Sequence, residues 1–230
     1  MPMTSAVGAR RAVLAALAAI ATSALVGCAG VGPAGTSASV PPGDGPIVAF
    51  YGDSYTLGTG ASDPSKRWST IIASDRGWRE FNPSVNGLGY VRNRSIVGDG
   101  DLPSLIIEQQ PDIVFITMGL NDNFDYDRVG EGIREAMIAD IDRLVAGLPD
   151  ARLIVVEPFW YTDERPESVE IISGWQREQA ERIGADYIAG ASRWIEGRPD
   201  WMAIDGLHPN DEGYAAMAER MDSELERLGL

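Results

Sequence analysis

The fold class is decided by residues 46–53, which read PIVAFYGD. Five apolar residues from Ile47 to Tyr51 follow one another without a polar interruption, and Gly52 and Asp53 come directly after them. An apolar run of this length without alternation is typical of a strand that is buried on both faces, as in a parallel sheet covered by helices. We therefore predict a central strand over residues 47–51 and a polar turn at its carboxyl end.

Similar runs recur along the chain and alternate with helical patterns. Residues 113–118 and 153–157 are predicted strands, and the segments EFNPSVNGLG (80–89) and ADYIAG (185–190) are weaker candidates. Helices are predicted over residues 129–148, 169–183 and 210–228, where apolar residues recur three or four positions apart. Asn210 is a suitable N-cap for the last of them. Alternating strands and helices predict a doubly wound α/β domain.

The N-terminus has the pattern of an export signal. Arg10 and Arg11 precede small and apolar residues over 12–26, a run too short for a comfortable membrane span. The run ends in Leu-Val-Gly-Cys, which resembles the lipobox of bacterial lipoproteins, and Cys28 is the only cysteine of the chain. That resemblance implies that Cys28 is lipidated and becomes the first residue of the mature protein. We predict a signal peptide over 1–27, a lipidated cysteine and flexible tether over 28–45, and one domain over 46–230.

The charge and residue composition exclude several classes of function. With 34 acidic and 19 basic residues, the formal net charge is −15, which disfavours binding to nucleic acid and to anionic lipid headgroups. Attachment to a membrane is therefore expected through the lipid alone. A single histidine, and a single cysteine in the lipobox, leave too few ligands for a typical zinc site, and the acidic segment 121–131 lacks the EF-hand spacing. No dinucleotide fingerprint follows the first strand. We predict no metal and no cofactor, and the oligomeric state stays open.

Four polar blocks follow predicted strands or lie near the C-terminus. They are GDSYT (52–56), NGLGY (86–90), GLND (119–122) and DGLHP (205–209). In open α/β sheets, ligands bind in a crevice outside the carboxyl ends of the strands. We therefore expect these four blocks to meet in one crevice.

The blocks together contain the groups that ester cleavage by a serine requires. Ser54 is the candidate nucleophile, His208 is the only histidine that could act as its base, and Asp205 can orient the imidazole from the same turn. Donors for the oxyanion are the backbone amides of Ser54 and Gly87 and the side-chain amide of Asn121. The Gly-x-Ser-x-Gly signature of α/β-hydrolases is absent.

The four blocks resemble those of the SGNH hydrolases, also called GDSL esterases and lipases. Ser54 matches the Gly-Asp-Ser block, Asn121 the Gly-x-Asn-Asp block, and Asp205 and His208 the Asp-x-x-His-Pro block. The resemblance implies a flavodoxin-like three-layer α/β/α sandwich with a central, mainly parallel five-stranded sheet. It also implies an acyl-serine intermediate formed without metal or organic cofactor. The first block continues with Tyr where the family name implies Leu, and the second block offers Gly87 or Gly89, of which Gly87 is preferred.

Each of these residues also has an ordinary structural role. Ser54 could cap a helix, and Asp205 and Asn121 could form turns, while Asp122 is assigned a structural role. The aromatic residues Trp160, Tyr161 and Trp201 are either packing residues or contacts to substrate, and they do not choose between a sugar and an acyl chain.

The sequence predicts a lipid-anchored, extracytoplasmic serine esterase. Its expected substrate is an ester of a glycan or a lipid, and short acyl groups such as acetyl are preferred because no long insertion could build an acyl tunnel. Lysophospholipid or thioester hydrolysis, acyl transfer between glycans, and glycan binding without catalysis stay open as alternatives.

Overall fold

The computed structural model describes residues 38–97 and 101–230. The predicted signal peptide, Cys28 and residues 28–37 of the predicted tether lie outside the described residues. Within the described ranges, none of the helices combines the length and the apolar character that crossing a membrane would require.

Five parallel strands form one central sheet. They are β1 (Ile47–Tyr51), β2 (Arg79–Phe81), β3 (Ile113–Ile116), β4 (Arg152–Val156) and β5 (Asp186–Ile188), in the order β2-β1-β3-β4-β5. The three strongest strand predictions are confirmed. The weaker segment 80–89 contributes only its first two residues to β2, because Pro83 lacks an N–H for the ladder and the glycines after it weaken a strand.

The three helices predicted over 129–148, 169–183 and 210–228 are present with small shifts at their ends, and three shorter helices that were not predicted precede them. The helices are α1 (Ser54–Leu57), α2 (Trp68–Asp75), α3 (Leu102–Gln109), α4 (Tyr126–Gly147), α5 (Glu167–Ile183) and α6 (Asp211–Arg227). Asn210 caps α6 as predicted, since its side-chain oxygen accepts the Gly213 N–H at 2.9 Å.

The helices cover both faces of the sheet and complete a three-layer α/β/α sandwich. Alternate strand residues point to opposite faces, so Phe50 and Phe115 pack with α2 and α6, whereas Tyr51 and Ile116 pack with α3, α4 and α5. The three-layer sandwich with a central, five-stranded parallel sheet, which the family resemblance implied, is therefore confirmed.

The junction of β1 and β3 is the point where the strand order reverses. Tyr51 pairs with Ile116 in the ladder, and the Thr117 N–H donates to the Tyr51 carbonyl at 2.9 Å. In a sheet of this order the ligand crevice opens at that switch point, outside the carboxyl ends of the two strands. The turns that follow β1 and β3 carry Ser54 and Asn121, so the fold places these two residues side by side.

Residues 38–45 lie against the domain although the sequence predicts a tether there. Ala38 and Val40 are half-buried against the face covered by α3 and α4, and the Arg79 side chain donates to the Gly45 carbonyl at 2.7 Å. Burial of the apolar Val40 side chain favours this contact, whereas a uniformly polar linker would have no apolar side chain to bury.

Gly52 has no space for a side chain. A Cβ at this position would lie 2.4 Å from Thr117 Oγ1 and 2.5 Å from Thr56 Cβ. Both neighbours are β-branched side chains that cannot swing away, so Gly52→Ala should lower the free energy of unfolding by about 1–3 kcal/mol. Gly174 in α5 is the matched control, since a Cβ there meets nothing within 4 Å. Gly174→Ala should raise stability by about 0.5–1 kcal/mol. Urea unfolding followed by tryptophan fluorescence measures both, and equal effects of the two substitutions would contradict the tight junction.

Candidate active site

Ser54 is the first residue of α1 and lies directly beyond the carboxyl end of β1. Asp53 occupies the N-cap position with extended backbone, and its Oδ1 accepts the Tyr55 N–H at 3.0 Å. The helix ends one turn later at Gly58, whose φ of 86° is left-handed. The serine is therefore held in a short, capped turn, and its own N–H donates to none of the described residues.

The loop of Asp205 and His208 is a tight turn that fixes the imidazole. Asp205 Oδ1 accepts the N–H groups of Leu207 and His208 at 2.9 and 3.0 Å, and Oδ2 lies 2.7 Å from His208 Nδ1. The hydrogen bond from His208 lowers the pKa of Asp205 to about 2, so the carboxylate stays ionised through the neutral range. Since Nδ1 is bonded to Asp205, Nε2 is the ring nitrogen left to exchange a proton.

Tyr55 ties the serine turn to the histidine loop. Its side chain is buried, its hydroxyl donates to the Leu207 carbonyl at 2.7 Å, and its ring centre lies 6.0 Å from that of His208. Among the described residues, no hydrogen bond joins the Ser54 hydroxyl to His208 itself. Bonds between a nucleophile and its base are often long in the absence of substrate, so this geometry is compatible with the predicted pairing.

Asn121 bridges the turns that follow three neighbouring strands. It is buried at the start of the turn after β3, and its Nδ2 donates to Asp53 Oδ2 at 3.2 Å and to the Leu88 carbonyl at 3.0 Å. An amide nitrogen has two hydrogens, and both are directed at these acceptors. Donation to an oxyanion, which stays a prediction, would require one of the two bonds to be exchanged.

The two candidate glycines of the second block differ in whether their amides are available. The Gly89 N–H donates to the Arg92 carbonyl at 3.0 Å, whereas the Gly87 N–H donates to none of the described residues. Gly87 also has a left-handed φ of 70°, which a glycine adopts without strain. The geometry therefore favours Gly87 over Gly89 as the oxyanion donor.

Asp122 holds this glycine loop in place. Its buried carboxylate accepts the N–H groups of Tyr90, Val91 and Arg92 at 2.7, 3.0 and 3.4 Å. A Cβ on Gly89 would come within 2.5 Å of the same carboxylate, which explains the glycine there. The structural role that the sequence assigned to Asp122 is thus defined as a clamp on the loop that carries Gly87.

Asp53 is the residue that sequence reasoning did not single out within its block. One carboxylate oxygen caps α1 and the other accepts from Asn121, so a single buried side chain positions two candidate catalytic groups. Burial raises its pKa to about 7, and the nearby Asp122 carboxylate acts in the same direction. The signal that could have identified it is an aspartate between a buried strand and a helix start, which is the position of an N-cap.

The predicted aromatic contacts divide into one buried and two rim residues. Trp160 is 3% exposed, and its indole N–H donates to Thr162 Oγ1 and to the Glu164 carbonyl, both at 2.9 Å. Of the two roles considered for Trp160, the structure supports packing, because a buried and bonded indole offers no face to a substrate. Tyr161 and Trp201 are half-buried, and the Arg198 guanidinium stacks over the Trp201 ring at 3.5 Å.

Within residues 38–97 and 101–230, no three or more His, Cys, Asp or Glu side chains are grouped so as to hold a metal ion.

Comparison with known families places the chain among ester hydrolases. Residues 50–216, which include all four polar blocks, match the model of the GDSL-like lipase/acylhydrolase family. A GDSL lipase of Mycobacterium tuberculosis, Rv0518, is 29% identical over 192 residues, which cover 76% of this chain and 79% of the relative.

Two solved structures show the same fold at low sequence identity. TesA superposes with a TM-score of 0.65 at 21% identity, covering 79% of this chain and 99% of its own. Est24, described as a carbohydrate acetylesterase from Sinorhizobium meliloti, superposes with a TM-score of 0.59 at 16% identity, covering 80% and 99% of the two chains.

The raised pKa of Asp53 predicts an unusual dependence of stability on pH. Between the ordinary value of 3.8 and the value of about 7 in the folded chain, the folded state holds a proton that the unfolded state has lost. The free energy of unfolding contributed by Asp53 should therefore fall as the pH rises through this window. Asp53→Asn should remove this contribution, which urea unfolding at several pH values between 4 and 8 would measure as a flatter profile.

Asp150→Asn, at an exposed position before β4, is the control for this experiment and should follow the wild-type profile. Parallel profiles for Asp53→Asn and the wild type would show that Asp53 does not titrate in this range.

Proposed function

Since the chain belongs to the GDSL-like lipase/acylhydrolase family, and is accordingly a serine ester hydrolase, we propose that it is a lipid-anchored, extracytoplasmic esterase that removes short acyl groups from glycans. The observation that carries the proposed chemistry is the 2.7 Å contact of Asp205 with His208, in a loop bonded to the helix that begins at Ser54.

In the proposed reaction, Ser54 Oγ attacks the ester carbonyl carbon while His208 Nε2 takes the hydroxyl proton. Ionised Asp205 stabilises the imidazolium and keeps the ring oriented, as in other serine hydrolases. The carbonyl oxygen becomes negative and is met by the amides of Ser54 and Gly87, which have no acceptor among the described residues, and by Asn121 after it exchanges one bond.

The tetrahedral intermediate collapses to an acyl-serine, which water then hydrolyses. The bond between the acyl carbon and the alcohol oxygen breaks, and His208 donates its proton to that oxygen as the alcohol leaves. Water then attacks the acyl carbon while His208 takes its proton. The bond between the acyl carbon and Ser54 Oγ breaks, the acid leaves, and His208 returns the proton to Ser54 Oγ. Atoms and charges balance without a metal or an organic cofactor.

A preference for short acyl groups is supported by the short connection after β3. Only residues 117–125 separate β3 from α4, too few to form a lid over an acyl chain, while the longer connections 82–101 and 189–210 carry Gly87, Asp205 and His208. A structure of the same fold is described as a carbohydrate acetylesterase, which supports a glycan ester as the substrate class.

The proposal is tested with the full chain in dodecyl maltoside and nitrophenyl esters of two to sixteen acyl carbons. Acetate should give the highest kcat/KM, and Ser54→Ala should reduce it at least about 1,000-fold because the nucleophile is lost. Ser223→Ala, an exposed serine of α6, is the matched control and should retain full activity.

Retained activity in Ser54→Ala would contradict the assignment of the nucleophile. A preference for long acyl chains would contradict a glycan ester as the substrate and indicate a lipid ester. Turnover that appears only when a sugar acceptor is added would identify an acyltransferase, and no turnover under either condition would identify a binding protein.

The lipid anchor is tested at Cys28. In a bacterial host grown with labelled palmitate, the wild type should carry the label and sediment with membranes, whereas Cys28→Ser should do neither because the thiol that accepts the lipid is absent. Ser37→Ala, in the predicted tether, should behave like the wild type. Labelled Cys28→Ser protein would contradict the proposed anchor.

A further inference from the structure

A cleft of about 390 Å³ lies against the loop that carries Asp205 and His208. Its lining includes Tyr161, Asp163, Arg198, Met202, Ala203 and Ile204. We propose that this cleft binds the alcohol portion of the substrate, a neutral sugar, while the acyl group lies on the other side of Ser54. The inference rests on the proposed function and specifies its substrate class.

The wall of the cleft is built from the histidine loop itself. The Ala203 N–H donates to the His208 carbonyl at 2.8 Å, and the Gly206 N–H donates to the Ala203 carbonyl at 3.0 Å. Ala203 and Gly206 both line the cleft, and Asp205 lies between them in the chain. A ligand in the cleft would therefore contact the backbone that fixes the position of His208.

The reaction determines which half of an ester lies on this side. His208 donates its proton to the alcohol oxygen as the ester bond breaks, so the alcohol portion must lie on the histidine side of Ser54. The acyl carbon is bonded to Ser54 at that moment, and its other substituent diverges from the leaving oxygen. A cleft against the histidine loop is therefore placed for the leaving alcohol.

The lining combines apolar and polar groups in the way a sugar ring requires. Tyr161 and Met202 are half-buried apolar surfaces, and the Ile204 side chain is fully exposed at the tip of the loop. Such surfaces match the C–H face of a pyranose, and aromatic rings serve the same purpose. The polar side chains of Asp163 and Arg198 line the same cleft and can meet the hydroxyls of the ring.

The charges of the cleft favour a neutral ligand over an anionic one. Arg198 is already paired with Asp200 at 2.7 Å and stacked on Trp201, so its charge is compensated. Asp163 adds an exposed carboxylate, of which one oxygen accepts the Gly197 N–H at 2.7 Å and the other is available to a hydroxyl. Anionic leaving groups, such as the glycerophosphoglycerol released from lysophosphatidylglycerol, would be repelled, whereas a neutral sugar would be bound.

Trp201, for which the sequence left packing or contact to substrate open, acts here through Arg198. Its ring supports the guanidinium of Arg198, a residue that lines the cleft, at 3.5 Å from the ring centre. Trp201 is thus assigned as a positioning residue, and Tyr161 as the direct contact.

The test compares two acetyl esters that differ only in their alcohol portion. With the full chain in dodecyl maltoside, kcat and KM are measured on an acetylated methyl xylopyranoside and on 4-nitrophenyl acetate. Tyr161→Ala and Ile204→Ser should each raise KM for the xyloside at least fivefold and change kcat/KM for nitrophenyl acetate less than twofold. Ile96→Ser, exposed on the loop after β2, is the matched control and should leave both substrates unchanged.

The possible results separate this inference from the proposed function. Wild-type activity on both esters without any effect of the two substitutions would overturn the sugar site and leave the esterase intact. An equal loss on both esters would show that Tyr161 and Ile204 act on the histidine loop and not on the sugar. Absence of Ser54-dependent turnover of nitrophenyl acetate would instead overturn the proposed function. Faster turnover of lysophosphatidylglycerol than of the xyloside, weakened by Tyr161→Ala, would replace the neutral sugar by an anionic lipid.

Discussion

The parallel pairing of β1 with β3 is the constraint on which the rest of the structure depends. The register that places Tyr51 opposite Ile116 brings the turns after the two strands to one edge of the sheet. Gly52 permits the close packing of Thr56 against Thr117, whose hydroxyls are 2.6 Å apart. Because the backbone is fixed at this junction, the start of α1 and the turn after β3 have no freedom to separate. The pairing therefore fixes the positions of Ser54, the candidate nucleophile, and Asn121, a candidate oxyanion donor.

Three aspartates then fix the loops of the site, and their environments differ. Asp53 and Asp122 are buried, and burial raises the pKa of both carboxyls. The hydrogen bonds that they accept from backbone N–H groups lower the pKa and so oppose this shift. Asp205 lies at the surface, and its bond from His208 lowers its pKa. The two buried carboxylates thus carry an electrostatic cost that the fold offsets by hydrogen bonds, as is common where a loop must be held for chemistry. The exposed one remains charged at neutral pH and can stabilise an imidazolium.

Much of this arrangement could be predicted from single segments. Continuous apolar runs identify β1, β3 and β4, and the cap at Asn210 identifies the start of α6, because these signals act within a few residues. The family resemblance supplied the three-layer sandwich with a five-stranded sheet, and it agreed with the roles proposed from their chemistry for Ser54 and His208, which lie 154 positions apart along the chain. The N-terminal signal and the lipidated cysteine are likewise predictions from local pattern, and they lie outside the described residues.

By itself, the sequence determined the class of fold, the segments of β1, β3 and β4, the three longest helices and the chemistry available to the site, since each depends on residue type and short-range spacing. The tertiary structure adds a reason to prefer Gly87, as the sequence does, over Gly89 as the proposed oxyanion donor, because the Gly89 amide finds an acceptor in the folded loop and the Gly87 amide finds none among the described residues. It also decided that Trp160 packs inside while Tyr161 lines a cleft, although the two are adjacent in the chain. Hydrogen-bond partners and burial are set by segments far apart in sequence, and no local pattern carries that information.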